Sequence, residues 1–275
     1  MKFIQPFFVG CVLLLGEGIR AQDSLIVRTT ADSARNLLSL RSLPQQAFGL
    51  GERLVYDVGY SFIVAGEAVM AVPRIDTVAG RPCYQIEFTV NSTPTFSWIF
   101  KVEDRYESAL DVEGIFPWRF KQTLREGKYS RDFEAEFDQI KNIARAGDKE
   151  YPIPPYVHDI ISAFYYARTL DYSKMRPGQK VYLANFYKDT TNPLPLKFLG
   201  HQRIDVDAGT FDCVLVEPLI REGGLFKSEG RIIIWLSNDE RKIPVKVSTK
   251  VAIGSIDAEL REYSGVVGEI QARVK

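Results

Sequence analysis

From Phe48 onward, apolar and polar residues alternate along most of the chain with a period of two. In Glu52–Tyr60, the residues Leu54, Tyr56, Val58 and Tyr60 fall on one face, which is the pattern of a half-buried strand. Ser61–Val72 continues as strand, with Gly66 inside it marking a bulge or bend. The string Val78-Ala79-Gly80-Arg81-Pro82 is turn chemistry, after which Cys83–Val90 alternates again. Phe96–Leu110, Ile115–Arg125 and Lys128–Ile140 predict three further strands, parted by Asp111-Val112-Glu113-Gly114 and Glu126-Gly127. Tyr151-Pro152-Ile153-Pro154-Pro155 fits neither a helix interior nor a central strand, because proline fixes φ and lacks the donor. The period then changes. Ile160, Ile161, Phe164, Tyr165 and Arg168 follow helical spacing, predicting a helix over Asp159–Leu170 that His158 or Asp159 caps. Beyond Arg176-Pro177-Gly178 the alternation resumes in six strands: Lys180–Tyr187, Leu194–Val206, Phe211–Leu219, Arg231–Leu236, Pro244–Ile253 and Ser255–Tyr263.

About a dozen strands and one helix define a mainly β fold. The expected form is a large curved antiparallel sheet, either a partly open barrel or two layers, with one main helix at about 158–170. A helix of a dozen residues is about 18 Å long and covers roughly four strands. The remaining apolar face has to curl on itself, stack as a second layer, or line a cavity. Only the third option involves a ligand.

The first residues do not share the alternation. Met1-Lys2 is a short positive start, Phe3–Leu15 is nearly all apolar, and Gly16–Ala21 is a small-residue exit. This is the secretory pattern, with cleavage expected after Ala21 and a periplasmic or extracellular destination. The apolar run is too short to span a bilayer, and no later stretch is long and uncharged enough to be a transmembrane helix. A lipoprotein reading would acylate Cys11, but the apolar run continues past it. The chain thus divides into a signal peptide, 1–21; a polar linker or loosely docked arm, 22–47; and a single β-rich domain, 48–275. Composition adds one exclusion. Lys plus Arg equals Asp plus Glu at 35 each, and cleavage leaves 33 against 34, so no basic excess attracts nucleic acid.

Few residues suit catalysis. The two histidines, His158 and His201, have no partner at ligand spacing, and a metal site would need carboxylates to complete it. Gly254-Ser255 lacks the second glycine of a nucleophile elbow, and no histidine follows it. His158, Asp159 and Ser162 suggest a local relay, but neighbouring helical residues point about 100° apart, and capping explains them better. Glu103, Asp104, Glu107 and Asp111 form an acidic run with Arg105 inside it; it reads as a charged strand end, because the calcium-loop pattern is missing. No catalytic residue, metal or cofactor is therefore expected. Cys83 and Cys213, the two cysteines left after cleavage, could form a disulfide on export or stand as separate buried thiols. Aromatic residues are the most unusual feature. Phe96, Trp98 and Phe100 share one face; so do Phe116, Trp118 and Phe120; and Phe164, Tyr165 and Tyr166 crowd the helix. Aromatic core is the default reading. The functional alternative makes Phe96, Trp98, Phe100, Trp118, Phe164 and Tyr165 the lining of a cavity for a lipid or other apolar molecule.

Several strings carry a family resemblance. They include Gly51-Glu52-Arg53-Leu54-Val55-Tyr56-Asp57-Val58, Val102-Glu103-Asp104-Arg105-Tyr106-Glu107-Ser108, Leu124–Tyr129, His158–Arg168, Ile234–Asp239, Ile243-Pro244-Val245 and Gly254-Ser255-Ile256. In order and spacing, the chain from about Phe48 to Tyr263 resembles the bacterial exported family DUF3108. The resemblance implies an exported, mainly β protein and supplies no catalytic residues. His158 departs from the family pattern, which has glutamine there. The function expected from all this is non-catalytic: a binding or carrier protein for a lipid or another apolar envelope component. The alternative is a structural or protein-interaction component of the envelope.

Overall fold

The alternating segments become strands of one sheet. In this computed structural model, residues 40–60, 63–219, 231–251 and 254–274 are described; the expected signal peptide and residues 22–39 of the arm lie outside them. The strands are β1 (Arg53–Tyr60), β2 (Ile63–Val78), β3 (Arg81–Ser92), β4 (Glu103–Asp111), β5 (Pro117–Glu126), β6 (Tyr129–Asp138) and β7 (Ile143–Ala146). They continue as β8 (Lys149–Pro152), β9 (Lys180–Tyr187), β10 (Thr190–Val206), β11 (Gly209–Pro218), β12 (Ile232–Ser237), β13 (Pro244–Lys250) and β14 (Ser255–Ser264). Neighbours in sequence pair antiparallel, with one cut: β1 pairs with β14 in the middle, so β8 and β9 become the two edges of a fourteen-stranded sheet. Among the described residues two α-helices accompany it, α1 (Pro94–Ser97) and α2 (Ile160–Arg168), with a 3-10 turn at Tyr172–Lys174.

Bulges bend the long strands. Register shifts fall between Ala71 and Arg74 in β2, where Pro73 cannot donate to the ladder, and between Phe198 and Gly200 in β10. Another shift skips Ala65, beside Gly66, close to where the glycine predicted a bulge. Bent this way, the sheet closes its apolar face around α2. Ile161 and Tyr165 pack into the main core with Leu54, Tyr106, Phe120 and Phe186. Ala163 and Ala167 lie against Leu194, Phe198, Val214 and Leu236 of β10–β12. A helix that is apolar on all sides is an interior helix.

Sequence expectation and structure differ at 96–100. Phe96, Trp98 and Phe100 do not alternate along a strand, because Pro94 starts α1 and the chain re-enters the sheet only at Val102 and β4. The hairpin β7–β8 was not foreseen either. Residues 40–47, expected as part of a loose arm, are docked: Arg41 donates to the carbonyls of Gly114 and Ile115 at 2.7 Å, and Ala47 is buried. Cys83 on β3 and Cys213 on β11 are both free and buried, six strands apart along the sheet, so no disulfide joins them.

Buried polar groups fix α2 at each end. Asp159 caps its start, Oδ1 accepting from the Ile161 and Ser162 amides, while Oδ2 accepts from Ser108 Oγ of β4 at 2.8 Å. His158 Nδ1 lies 3.2 Å from Ser162 Oγ. At the other end Arg168 makes a bidentate pair with Glu52, at 2.7 and 2.8 Å, with both side chains wholly buried. The same guanidinium donates to the carbonyls of Ala47, Arg241 and Lys242 and lies over the Phe48 and Tyr165 rings.

Two expectations follow. Removing one member of a buried pair leaves an uncompensated charge, so Arg168→Met should lower the unfolding free energy by about 3–5 kcal/mol in urea titrations. The double variant Arg168→Met/Glu52→Leu should recover part of that loss; a single-variant loss below about 1 kcal/mol would exclude the anchor. The second concerns acid. Burial lowers the His158 imidazole from 6.5 to about 3, so between those values the unfolded chain binds the extra proton and stability falls as pH falls. Burial raises the Asp159 carboxyl from 3.8 to about 6, with the opposite sign: stability is gained as pH falls through that window. The two offset in the native protein only where their windows overlap, between about pH 6 and 3.8. His158→Gln should therefore resist acid better, its stability relative to wild type growing by about 2–3 kcal/mol from pH 6.5 to 4. Parallel pH curves for the two proteins would show that His158 does not titrate this way.

Candidate functional site at the open seam

Alternation along β4–β6 sends Tyr106, Phe120, Phe133 and Phe137 inward, and the curl of the sheet brings edge strand β9 to face them. The two edges are not joined to each other by backbone hydrogen bonds. On the β9 side only a short parallel bridge forms, the His158 amide donating to Ala184 and the Phe186 amide to His158. Aromatic side chains cross the rest of the seam. Ring centroids run from Phe88 to Tyr106 (5.7 Å), Phe120 (6.5 Å), Phe133 (6.1 Å) and Tyr187 (4.9 Å), which carries the series from β3 to β9. Phe186 meets Phe137 and Tyr151 in the same way.

Above these rings a groove of about 530 Å³ opens between β5–β7, Tyr151 and the β9–β10 turn. Phe133, Tyr151 and Ala146 form its apolar wall. Charged side chains of both signs rim it, Lys121, Arg131 and Lys188 with Asp132, Glu134 and Asp189. The Arg131 guanidinium sits 5.2 Å and the Lys188 ammonium 5.7 Å from the centre of the Tyr187 ring. Desolvation lowers the Lys188 amine and the neighbouring Arg131 charge lowers it further, against the pull of the Asp189 carboxylate. Lys188 holds a positive φ of 61° at the turn, so its place is set by the backbone. Asp132 on the same wall is bound by Arg125. Below the rings, Tyr187 donates to Gln122 at 2.9 Å. Deeper still, Asp104 is buried near Glu126; burial raises its carboxyl, while the Arg125 amide it accepts from favours the charge.

The residues expected to line a cavity separate. Tyr165 is buried in the main core and Phe164 is half-buried between the two core clusters. Trp118 is buried elsewhere, with Cys83 and Phe116, and its indole donates to Asp111 at 3.0 Å. Phe96 and Phe100 are half-buried beside the α1 turn, and Trp98 is 80% exposed. None of the six lines the seam groove. The acidic run also disperses: Glu103 pairs with Lys101, Glu107 with Arg105, and Asp111 with Arg81. His201 lies exposed on β10 against Phe198, remote in the chain from buried His158, and the Asp159 carboxylate is committed to the helix cap and Ser108. The groove residues went unnoticed because Arg131, Tyr151 and Lys188 come together only through sheet closure. The pattern of β6 does carry a signal: Arg131 shares its inward face with Phe133, Ala135 and Phe137.

Among solved structures, at least one shares this architecture. A β-barrel-like protein of the unknown-function family DUF1849 from Brucella abortus superposes with a TM-score of 0.51 at 12% identity, over 79% of this chain and 99% of its own. A hypothetical protein from Chlamydia trachomatis reaches 0.36 at 10% identity, over 87% and 95%. A lipoprotein candidate from Parabacteroides distasonis reaches 0.37 at 13%, over 82% and 99%. At these identities the first likeness concerns the fold alone. No curated protein matches the chain. The model of a protein family of unknown function, DUF3108, matches residues 55–261, and the chain belongs to that family.

Proposed function

We propose that the protein is an exported, non-catalytic binding protein that holds an apolar or amphiphilic component of the cell envelope, such as a lipid, at the seam of its sheet. The observation that supports this most is the closure itself. Side chains rather than a backbone ladder span the seam, and an open, shallow groove of about 530 Å³ lies along them. Phe133 and Tyr151 supply an apolar wall, and Lys121, Arg131 and Lys188 with Asp132, Glu134 and Asp189 a charged rim of both signs, which suits a molecule with an acyl or ring portion and a polar end that Arg131 contacts. Export rests on the leader-like start, Met1-Lys2 followed by Phe3–Leu15. An envelope interaction protein is the second reading, favoured by apolar side chains exposed at one end of the sheet.

Native mass spectrometry with organic extraction tests the first reading, on mature protein purified from its own envelope fraction without detergent. The expected result is a co-purifying amphiphile at fixed stoichiometry, with occupancy falling about 10-fold in Arg131→Glu, as loss of a charged contact predicts. An apo mass throughout would reject the carrier reading and leave the interaction protein.

A further inference from the structure

Strand direction gives the curled sheet two unlike ends. The starts of β1, β3 and β5 lie at the end held by Arg168 and Glu52, and their finishes lie at the other, where α1 and the β1–β2, β3–β4 and β5–β6 connections project. Exposed apolar side chains gather at that second end. Of ten large ones on the described surface, Tyr60, Ile63, Val64, Trp98, Ile99 and Tyr129 all sit on these three tips. Register makes the tips neighbours: Thr93 donates to Ala65, and Gly127 to Lys101. Tips two strands apart are about 10 Å from one another, so the three span about 20 Å along the rim.

The charges within the three apolar tips and at 250–251 are lysines, while Asp189 lies in the β9–β10 turn that points to the same end. Segments 59–60, 63–65, 92–101, 127–129 and 250–251 contain Lys101, Lys128 and Lys250 and no Asp or Glu. Lys101 pairs with Glu103 just below its tip; Lys128 and Lys250 are exposed. We infer that this rim docks on the surface of a lipid bilayer containing anionic lipid. Trp and Tyr have a ring for the interfacial region and a polar atom for the water side, Ile63, Val64 and Ile99 can enter the acyl boundary, and the lysines meet lipid phosphates. A protein partner is less well matched, since three narrow tips separated by about 10 Å offer no continuous flat face. The β9–β10 turn, carrying Lys188, projects toward this end as well, so docking would bring the mouth of the seam groove close to the bilayer. The inference does not rest on the groove being a ligand site: rim and groove share no residue.

Co-sedimentation of the mature chain tests it, with vesicles of phosphatidylcholine alone and of phosphatidylcholine with one quarter phosphatidylglycerol. The wild type should partition onto the anionic vesicles with a blue shift of tryptophan emission. Trp98→Ser/Ile99→Ser should bind about 10-fold more weakly and lose the shift, while keeping its circular dichroism, because both side chains are exposed. Lys128→Glu/Lys250→Glu should lose the preference for phosphatidylglycerol. The inference is overturned if wild type stays in the supernatant with both vesicles, or if Trp98→Ser/Ile99→Ser sediments as wild type does. It is equally overturned if native mass spectrometry shows a dimer that this variant dissociates, which would give the rim to a second copy. None of these results bears on a co-purified ligand at the seam, so the two readings fail separately.

Discussion

A fourteen-stranded sheet with one apolar face and no second sheet has to bury that face against itself. Strand twist and the bulges at Pro73 and Gly200 provide the curl, but curling leaves the question of what joins β8 to β9. Edge strand β8 is only four residues long and ends at Pro152, so it offers little ladder. The chain between the two edges is instead used for α2, which enters the interior and is held there. Closure therefore falls to the ring pairs that reach β9, Phe133–Tyr187, Phe137–Phe186 and Tyr151–Phe186, each worth about 0.5–1.5 kcal/mol beyond its buried area. Rings can slide or part without breaking a row of backbone hydrogen bonds. The seam is the part of the wall that can yield most cheaply, and the groove lies there.

Most strands were legible in the sequence because period two is a local signal. β1, β3, β5, β6 and β9 lie within two residues of the expected bounds, and Asp159 caps α2 as its position suggested. The misreading at Phe96, Trp98 and Phe100 has a local cause. Three aromatics at alternate positions satisfy the strand pattern, yet Pro94 and the sharp return to β4 impose a helical turn, which sends Trp98 into solvent. β7 and β8 escaped notice because four residues are too few to establish a period. The pairing of β1 with β14 lay beyond reach for a different reason. It joins segments some two hundred residues apart, and alternation says which face a residue takes but not which strand lies beside it. The seam groove depends on that same long-range order, since Arg131 and Lys188 meet only after the sheet has curled.

The helix shows how polarity is used inside. Its small residues, Ala163 and Ala167, let β10–β12 approach closely, and Tyr165 fills the opposite side. Apolar packing of this kind tolerates sliding along the helix axis. The Asp159–Ser108 bond and the Arg168–Glu52 pair do not, because a one-residue shift would strand a buried charge. Replacing such groups by apolar ones often preserves stability in other proteins, so what they add here is position. They fix the start of α2 against β4 and its end against the start of β1.

The two ends of the sheet break opposite rules. At one, a charged pair is buried; at the other, Trp98 and Ile99 face solvent with three lysines in the neighbouring tips. Each arrangement costs free energy in an isolated chain. The buried pair has its compensation within the fold, in the five hydrogen bonds and two rings around Arg168 and in a unique seat for α2. The exposed rim has none: Trp98 and Ile99 are in no cluster of the core, and strands need no apolar tips in order to turn. A cost without an internal return points outward, to a surface that would cover those tips, and the lysines beside them specify an anionic one.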